Sequence, residues 1–304
     1  MNSYLSIYFN EDRIYISLLK RNGDDLVISY INSTKDAFNF LSPDSIVSSS
    51  AIMEAKSIIK EINCQDNNII ITLSSNNYLF SFFPFIKELQ YKEIIELIKL
   101  EFSHTYNGMN FDEFNFDLIP ISNNSFFKDM CLGTFLYKEF NEIIKNQFSE
   151  LNINRMIFNP KASINSFIFN YPDLQSNHVI LFNLTKNYLE TLLINCSKLL
   201  YYNQYPYDKP IDELCEKCIS FIKNKIVSDK LNSIFFFGNL LNKNLLEHLT
   251  NKLKILDLNI QRFNTFRMLH SDLGERQRQY CSRVAHLLAP CIGAAINNFE
   301  DNKI

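Results

Sequence analysis

At 304 residues with 46% apolar side chains, the chain is long enough for two cores of ordinary size. Thirty basic against 33 acidic side chains leave a net charge of −3, so nothing global draws it to phosphate backbones and nucleic-acid binding is set aside as a class. The chain opens without a basic leader pattern. Its longest apolar run, Val284 to Ile296, carries His286, Pro290 and Gly293 and falls short of the ~18 residues that cross a bilayer, so a cytoplasmic protein is expected.

In chain order, residues 4–19 read as two strands around the polar turn Asn10 to Arg13, and residues 26–31 as a third strand. A helix is expected over about 48–62, where Ile52, Ala55, Ile59 and Ile62 recur at helical spacing. Residues 67–74 form a buried strand, followed by an aromatic strand over 78–83 that Pro84 ends. Then come a helix over about 89–104, a half-buried strand over 114–119, a strand over 130–136 and an amphipathic helix over 137–151. The stretch 67–151 therefore reads as a small α+β subdomain inserted into a first lobe. Residues 153–158 return as a strand, and Pro160 suits the first turn of the next helix.

A second hairpin over 178–194 has the plan of the first. Residues 179–184 are apolar apart from Asn183, and Thr185 to Asn187 supply the turn. A helix over about 210–227, a strand over 233–239 that turns at Gly238, a helix over 241–253 and a strand near 258–261 follow. Ser271 or Asp272 is placed to cap a helix beginning near Gly274, which Pro290 interrupts near its end. The repeated hairpin implies two lobes: 1–177 with the 67–151 insertion, then 178–284, with 285–304 returning to the first lobe.

The side chains that carry chemistry are sparse. Seven scattered cysteines argue against a disulfide framework. Cys215 and Cys218 share a helix face, either as core packing or, lacking a second pair, as a weak metal or redox site. His104, His178, His248, His270 and His286 have no metal-ligand spacing, and Asp24–Asp25 and Asp112–Glu113 read as turn charges. Arg262, Arg267, Arg276, Arg278 and Arg283 are five of eight arginines, with Arg276 and Arg283 on one helix face. They form either a solvated or internally paired face or a docking patch for an acidic partner.

The order of elements resembles the actin-like ATPase superfamily, and within it the PilM proteins of type IV pilus assembly. The inserted piece carries the likeness through Phe82-Phe-Pro84, the acidic helix over 91–101, and the aspartate-containing strand over 111–117. The strand and helix over 234–246 resemble the adenosine motif, and residues 289–296 the closing small-residue helix. The resemblance implies an α/β, two-lobed, ribonuclease H-like actin fold.

In that superfamily each phosphate hairpin closes with Asp-x-Gly, whose glycine lets backbone N–H groups approach phosphate while the aspartate holds hydrated Mg²⁺. By position Tyr8 and Asn10 stand there in the first hairpin, and Asn183 and Thr185 in the second. Only Gly238 remains in the adenosine motif, followed by Leu240 and Leu241. Six glycines in the chain leave little material for a phosphate cradle. No cofactor, no metal and no catalysis are expected, with Tyr8 and Leu240 partly filling the space a nucleotide would need.

The resemblance also implies a protein partner of the PilN kind, a bitopic membrane protein whose short N-terminal segment docks on the first lobe. Phe80, Phe82, Phe114 and Phe116 are the candidate docking rings, the alternative being that all four are core. The expected function is a non-catalytic PilM-like scaffold in a pilus or secretion assembly, meeting the membrane only through that partner. A divergent ATP-binding actin-like protein, or a regulator sharing only the fold, are the alternatives.

Overall fold

The computed structural model describes residues 3–23, 25–38, 46, 49–62, 68–84, 88–121, 130–206, 211–224, 231–254 and 258–301. Asp24, Cys64 and the expected element ends at 48, 67, 210 and 225–227 lie outside them.

The first sheet has six strands in the order β14-β3-β2-β1-β4-β8. β1 (Ser3–Phe9), β2 (Ile14–Asn22) and β3 (Asp25–Ser33) form an antiparallel meander. β4 (Asn68–Leu73) runs parallel to β1, and β8 (Ile153–Phe158) parallel to β4. Both faces are covered, which explains the near-continuous apolar runs. Leu5, Ile7 and Phe9 pack on Ile52, Ala55 and Ile59 of helix α1 (Ser50–Ile62). Tyr4 and Tyr8, on the other face, pack on helix α8 (Ala289–Asp301).

That closing helix needs small side chains because it crosses helix α4 (Asn159–Asn170) at close range: a Cβ at Gly293 would lie 1.7 Å from the Ala162 carbonyl oxygen. Ser17 and Cys291 similarly meet at 3.3 Å under the sheet.

The second sheet follows the order β11-β10-β9-β12-β13. β9 (His178–Leu184) and β10 (Tyr188–Asn195) are the second hairpin, and β12 (Leu231–Phe237) and β13 (Asn259–Arg262) run parallel beside β9. Helices α5 (Ile211–Asn224) and α6 (Lys243–Leu253) cover one face, where Cys215 and Cys218 are buried as core residues. The opposite face, with Leu181, Leu192 and Phe235, joins a core that continues to the first sheet.

The edge strand β11 (Lys198–Pro206) was not expected from the sequence. Its turn, Cys196–Ser197, takes φ of 48° and 62° without the glycine or asparagine that usually announces such a hairpin.

The third sheet is antiparallel, β5 (Leu79–Pro84), β7 (Met130–Tyr137) and β6 (Phe114–Ile121) in the order β5-β7-β6. Phe83, Cys131 and Phe135 meet Ile98 and Phe102 of helix α2 (Tyr91–Thr105) on one face. Ile119, Leu132 and Leu136 join the main core on the other, beside helix α3 (Lys138–Gln147). β4, at the start of the 67–151 stretch, lies in the first sheet instead.

The C-terminal region differs from expectation in two respects. Of the expected caps, Ser271 lies in β14 (His270–Ser271), a two-residue strand parallel to β3, and Asp272 follows it, its N–H donating to the Ile28 carbonyl, while helix α7 (Glu275–Val284) is capped by Gly274. The chain is thus back on the first sheet by His270. Pro290 opens α8 rather than interrupting a longer helix, which is where its missing N–H costs nothing. No helix among the described residues is long and apolar enough to cross a membrane.

Candidate functional site

The two hairpin turns meet between the first and second sheets. In the first, the Asn10 N–H donates to the Arg13 carbonyl at 3.0 Å, its Nδ2 donates to Asp12 Oδ1 at 3.1 Å, and its Oδ1 accepts from the Tyr8 hydroxyl at 3.2 Å. Tyr8 and Asn10 are both buried. In the second, Thr185 closes the turn: its Oγ1 donates to the Tyr188 carbonyl at 3.0 Å and accepts from the Tyr188 and Asn187 N–H groups. Short polar side chains of this kind substitute for backbone in tight turns.

Glu190 is the residue that the expected Asp-x-Gly positions did not bring to notice. It pairs with Asn183 across the hairpin and is fully buried. Its Oε2 accepts from Asn183 Nδ2 at 3.0 Å and its Oε1 from the Tyr202 hydroxyl at 2.9 Å. Burial raises its carboxyl above the ordinary value, against the hydrogen bonds from Ser75, Asn183 and Tyr202 that work the other way. Ser75 in turn accepts from Asn159 Nδ2 at 3.0 Å, so the network runs from the second sheet into the first. The same burial holds the Tyr8, Tyr188 and Tyr202 hydroxyls well above their usual range, so all three are neutral, Tyr8 donating to Asn10 and Tyr202 to Glu190. The sequence carries the signal: a lone carboxylate in the apolar strand 188–194, opposite Asn183, the one polar residue of the run 179–184.

Further contacts tie the turns together. Ser74 and Tyr188 share a hydrogen bond of 2.9 Å between hydroxyls, and Glu11 Oε1 accepts from Asn76 and from Asn187, each at 3.3 Å. Gly238, at φ 105°, is required by packing: a Cβ there would lie 2.4 Å from Asn183 Oδ1 and from the Leu184 carbonyl oxygen. Leu240 packs against the core of the second sheet.

This donor set does not fit Mg-ATP. The hairpin positions that the resemblance expects to face phosphate hold Tyr8, Asn10, Asn183 and Thr185, whose side chains are bonded to their neighbours. Both oxygens of Glu190 are occupied, and burial disfavours its ionised form. Among the described residues no three His, Cys, Asp or Glu side chains gather as metal ligands.

The four candidate docking rings are on two faces of the third sheet. Phe80 pairs with Thr134 and Phe82 with Leu132, toward the main core, and the Phe80 ring lies 5.1 Å from that of Tyr202. Phe116 pairs with Phe135 and Phe114 with Tyr137, on the α2 face, where the Phe102 ring lies 5.2 Å from Phe114. Phe114 and Phe116 are half-buried and line an open groove of 530 Å³ together with Phe111, Leu118, Lys138 and Tyr91, the last 75% exposed. A smaller cavity of 110 Å³, between the third sheet and β8, is lined by Tyr78, Phe116, Leu136, Met156 and Phe158.

Paired hairpins opening two mixed sheets, an inserted three-stranded sheet and a small-residue closing helix define an α/β protein with the actin-like ATPase fold, PilM-like in arrangement. No protein-family model and no curated protein matches the sequence. Among solved structures, a PilM–PilN type IV pilus biogenesis complex aligns over 97% of this chain and 98% of its own, at TM-score 0.74 and 12% identity. A Bacteroides thetaiotaomicron protein with an actin-like ATPase fold and unknown function covers 92% and 96% at TM-score 0.53 and 13% identity. The ethanolamine utilization protein EutJ of Carboxydothermus hydrogenoformans covers 97% and 90% at TM-score 0.50 and 8% identity.

Proposed function

We propose that this chain is a non-catalytic scaffold of the PilM kind, which holds a segment of a membrane-protein partner in a pilus or secretion assembly at the inner face of the membrane. One observation carries the first half of the reading: the turn positions expected to serve phosphate are spent on the Tyr8–Asn10 and Asn183–Glu190 hydrogen bonds within each hairpin, while Glu11–Asn187 joins one hairpin to the other and Ser74, after β4, bonds Tyr188 of the second. The second half is supported by the fold shared with a PilM–PilN complex and by the aromatic groove at Phe114 and Phe116. Aromatic side chains at a groove bury much area at little rotamer cost. We read the lobes as 1–177 and 178–270, with the return to the first lobe moved from the expected residue 285 to His270, where β14 pairs with β3.

Two measurements test the proposal. Calorimetry with Mg-ATP should give no heat of binding up to millimolar nucleotide, and a micromolar dissociation constant or turnover above background would overturn the non-catalytic reading. A photo-crosslinking side chain at Phe116, incubated with membranes of the source cells, should capture one bitopic protein through its N-terminal segment. Capture of soluble proteins alone would overturn the docking reading.

A further inference from the structure

One set of side chains takes no part in the scaffold reading. Arg267 is paired within the chain, with Nη1 2.6 Å from Asp173 Oδ1, and Arg262 donates to the Ser282 carbonyl. Arg276 and Arg283 have no ion pair among the described residues. They point outward from α7, and Arg276 faces a concavity of 410 Å³ between that helix and the end of β3, lined by Ile31, Asn32, Lys35, Gln277 and Tyr280.

The walls of this pocket are held in place. The Tyr280 hydroxyl donates to Ser33 Oγ at 2.8 Å and Gln277 Nε2 to the Ile31 carbonyl at 3.3 Å, while Asn32 Oδ1 accepts from the Ser33 N–H. Two cations therefore stand on opposite walls, Lys35 on the strand side and Arg276 on the helix side. Arg13 is near enough for its charge to act on the Tyr280 hydroxyl. Of the nearby carboxylates, Glu54 accepts from the Lys35 and Asp36 N–H groups, Asp12 from Asn10, and Glu275 from Gln279, while Asp36 is exposed next to Lys35.

We propose that this pocket receives an extended acidic segment of a partner protein, one carboxylate lying between Lys35 and Arg276 and a later one reaching Arg283. The length of the basic stripe favours a peptide over a single anion. Arg276 and Arg283 are seven residues apart on one helix face, roughly 10 Å, which a phosphate cannot span and about three residues of extended chain do. The concave shape disfavours a flat anionic bilayer. Charge complementarity sets partner choice and encounter rate more than raw affinity, so binding should be modest and salt-sensitive.

The test uses the full chain and a fluorescein-labelled peptide of alternating glutamate and serine, with its glutamine-for-glutamate counterpart, read by fluorescence anisotropy at low salt. The acidic peptide should bind and the amide peptide should not. Lys35→Glu with Arg276→Glu should weaken binding about tenfold or more, whereas Arg278→Glu, on the other side of α7, should change it less than about twofold. These residues are exposed, so the thermal midpoint should stay within a degree or two, which separates lost binding from lost folding. Equal binding by the reversed variant, or no binding at low salt, overturns the proposal. So does full competition by inorganic phosphate, which would mark a small-anion site. Capture of phosphatidylglycerol vesicles that the double reversal abolishes while peptide binding persists would assign the patch to a membrane and also overturn it.

Discussion

Asn183 and Glu190 face each other across the second hairpin, with Asn183 Nδ2 donating to Glu190 Oε2 at 3.0 Å in a site sealed from water. A carboxyl group so buried persists only because each oxygen has a donor: Asn183 on one and Tyr202 on the other. Its place between the sheets makes it a structural bridge.

Removing that bridge should cost more than changing its charge. Glu190→Ala leaves the Tyr202 hydroxyl and Asn183 amide without acceptors and opens a cavity, for a loss of about 2–4 kcal/mol. Glu190→Gln keeps the volume and one acceptor and should lose about 1 kcal/mol or less at neutral pH, where the wild-type carboxyl is itself disfavoured. Urea midpoints at constant slope measure both. An alanine variant as stable as wild type would show that the network is not holding the sheets.

The pH dependence follows from two groups of opposite sign. The carboxyl of Glu190 is raised above 4.5 in the fold, so the stability it contributes is whole below that pH and is lost as pH rises through the folded value. Wild type should therefore lose ground to Glu190→Gln as pH rises from 4.5. His286 behaves in reverse: burial, aided by the charge of Arg262, lowers it from 6.5 to about 4. Its contribution is whole above pH 6.5 and is lost as pH falls toward 4, by roughly 3 kcal/mol in all. A His286→Leu variant should flatten that acid limb, and an unchanged limb would mean that His286 is charged in the native state.

Two glycines should resist alanine for different reasons. At Gly238 the φ of 105° and the approach of Asn183 Oδ1 and the Leu184 carbonyl both oppose a Cβ. At Gly293 the obstacle is the Ala162 carbonyl oxygen on the facing helix. Each substitution should cost about 2 kcal/mol or more, against roughly 1 kcal/mol of gain expected for Gly→Ala in an open helix. Thermal midpoints decide the matter, and a stabilised Gly293→Ala would mean that the two helices separate freely.

The aromatic residues of the third sheet should divide by face and depth. Phe114→Ser with Phe116→Ser should abolish partner capture and lower the thermal midpoint only modestly, because both rings are half-buried. Phe83→Ser should instead unfold the subdomain, since Phe83 is fully buried against Phe135 at 5.7 Å. Retained capture by the double variant would move the docking site to the other face, where Phe80 and Phe82 lie.

Local periodicity made most elements legible. The strand over 153–158 coincides with β8, and the two hairpins, the inserted strands and the helices on either side of Gly238 are close to where apolar spacing puts them. Such patterns are readable because side-chain direction repeats every two residues in a strand and every 3.6 in a helix. The hairpin at Cys196–Ser197 escaped notice because its backbone takes a left-handed turn that its residue types do not announce. The same order of elements resembled the actin-like fold that the structure has.

What the chain pattern left open was decided by contacts between distant residues. The pairing of Phe80 and Phe82 on one face and Phe114 and Phe116 on the other depends on the register of β5 and β6 against β7. Glu190 acquires its partners only when β11 brings Tyr202 and the first sheet brings Ser75. Arg267 finds Asp173, 94 residues away in sequence, while Arg276 is left facing a pocket. Composition counts the charges, but whether each is neutralised, buried or presented depends on which segments packing brings within hydrogen-bond reach, and that is a property of the folded chain.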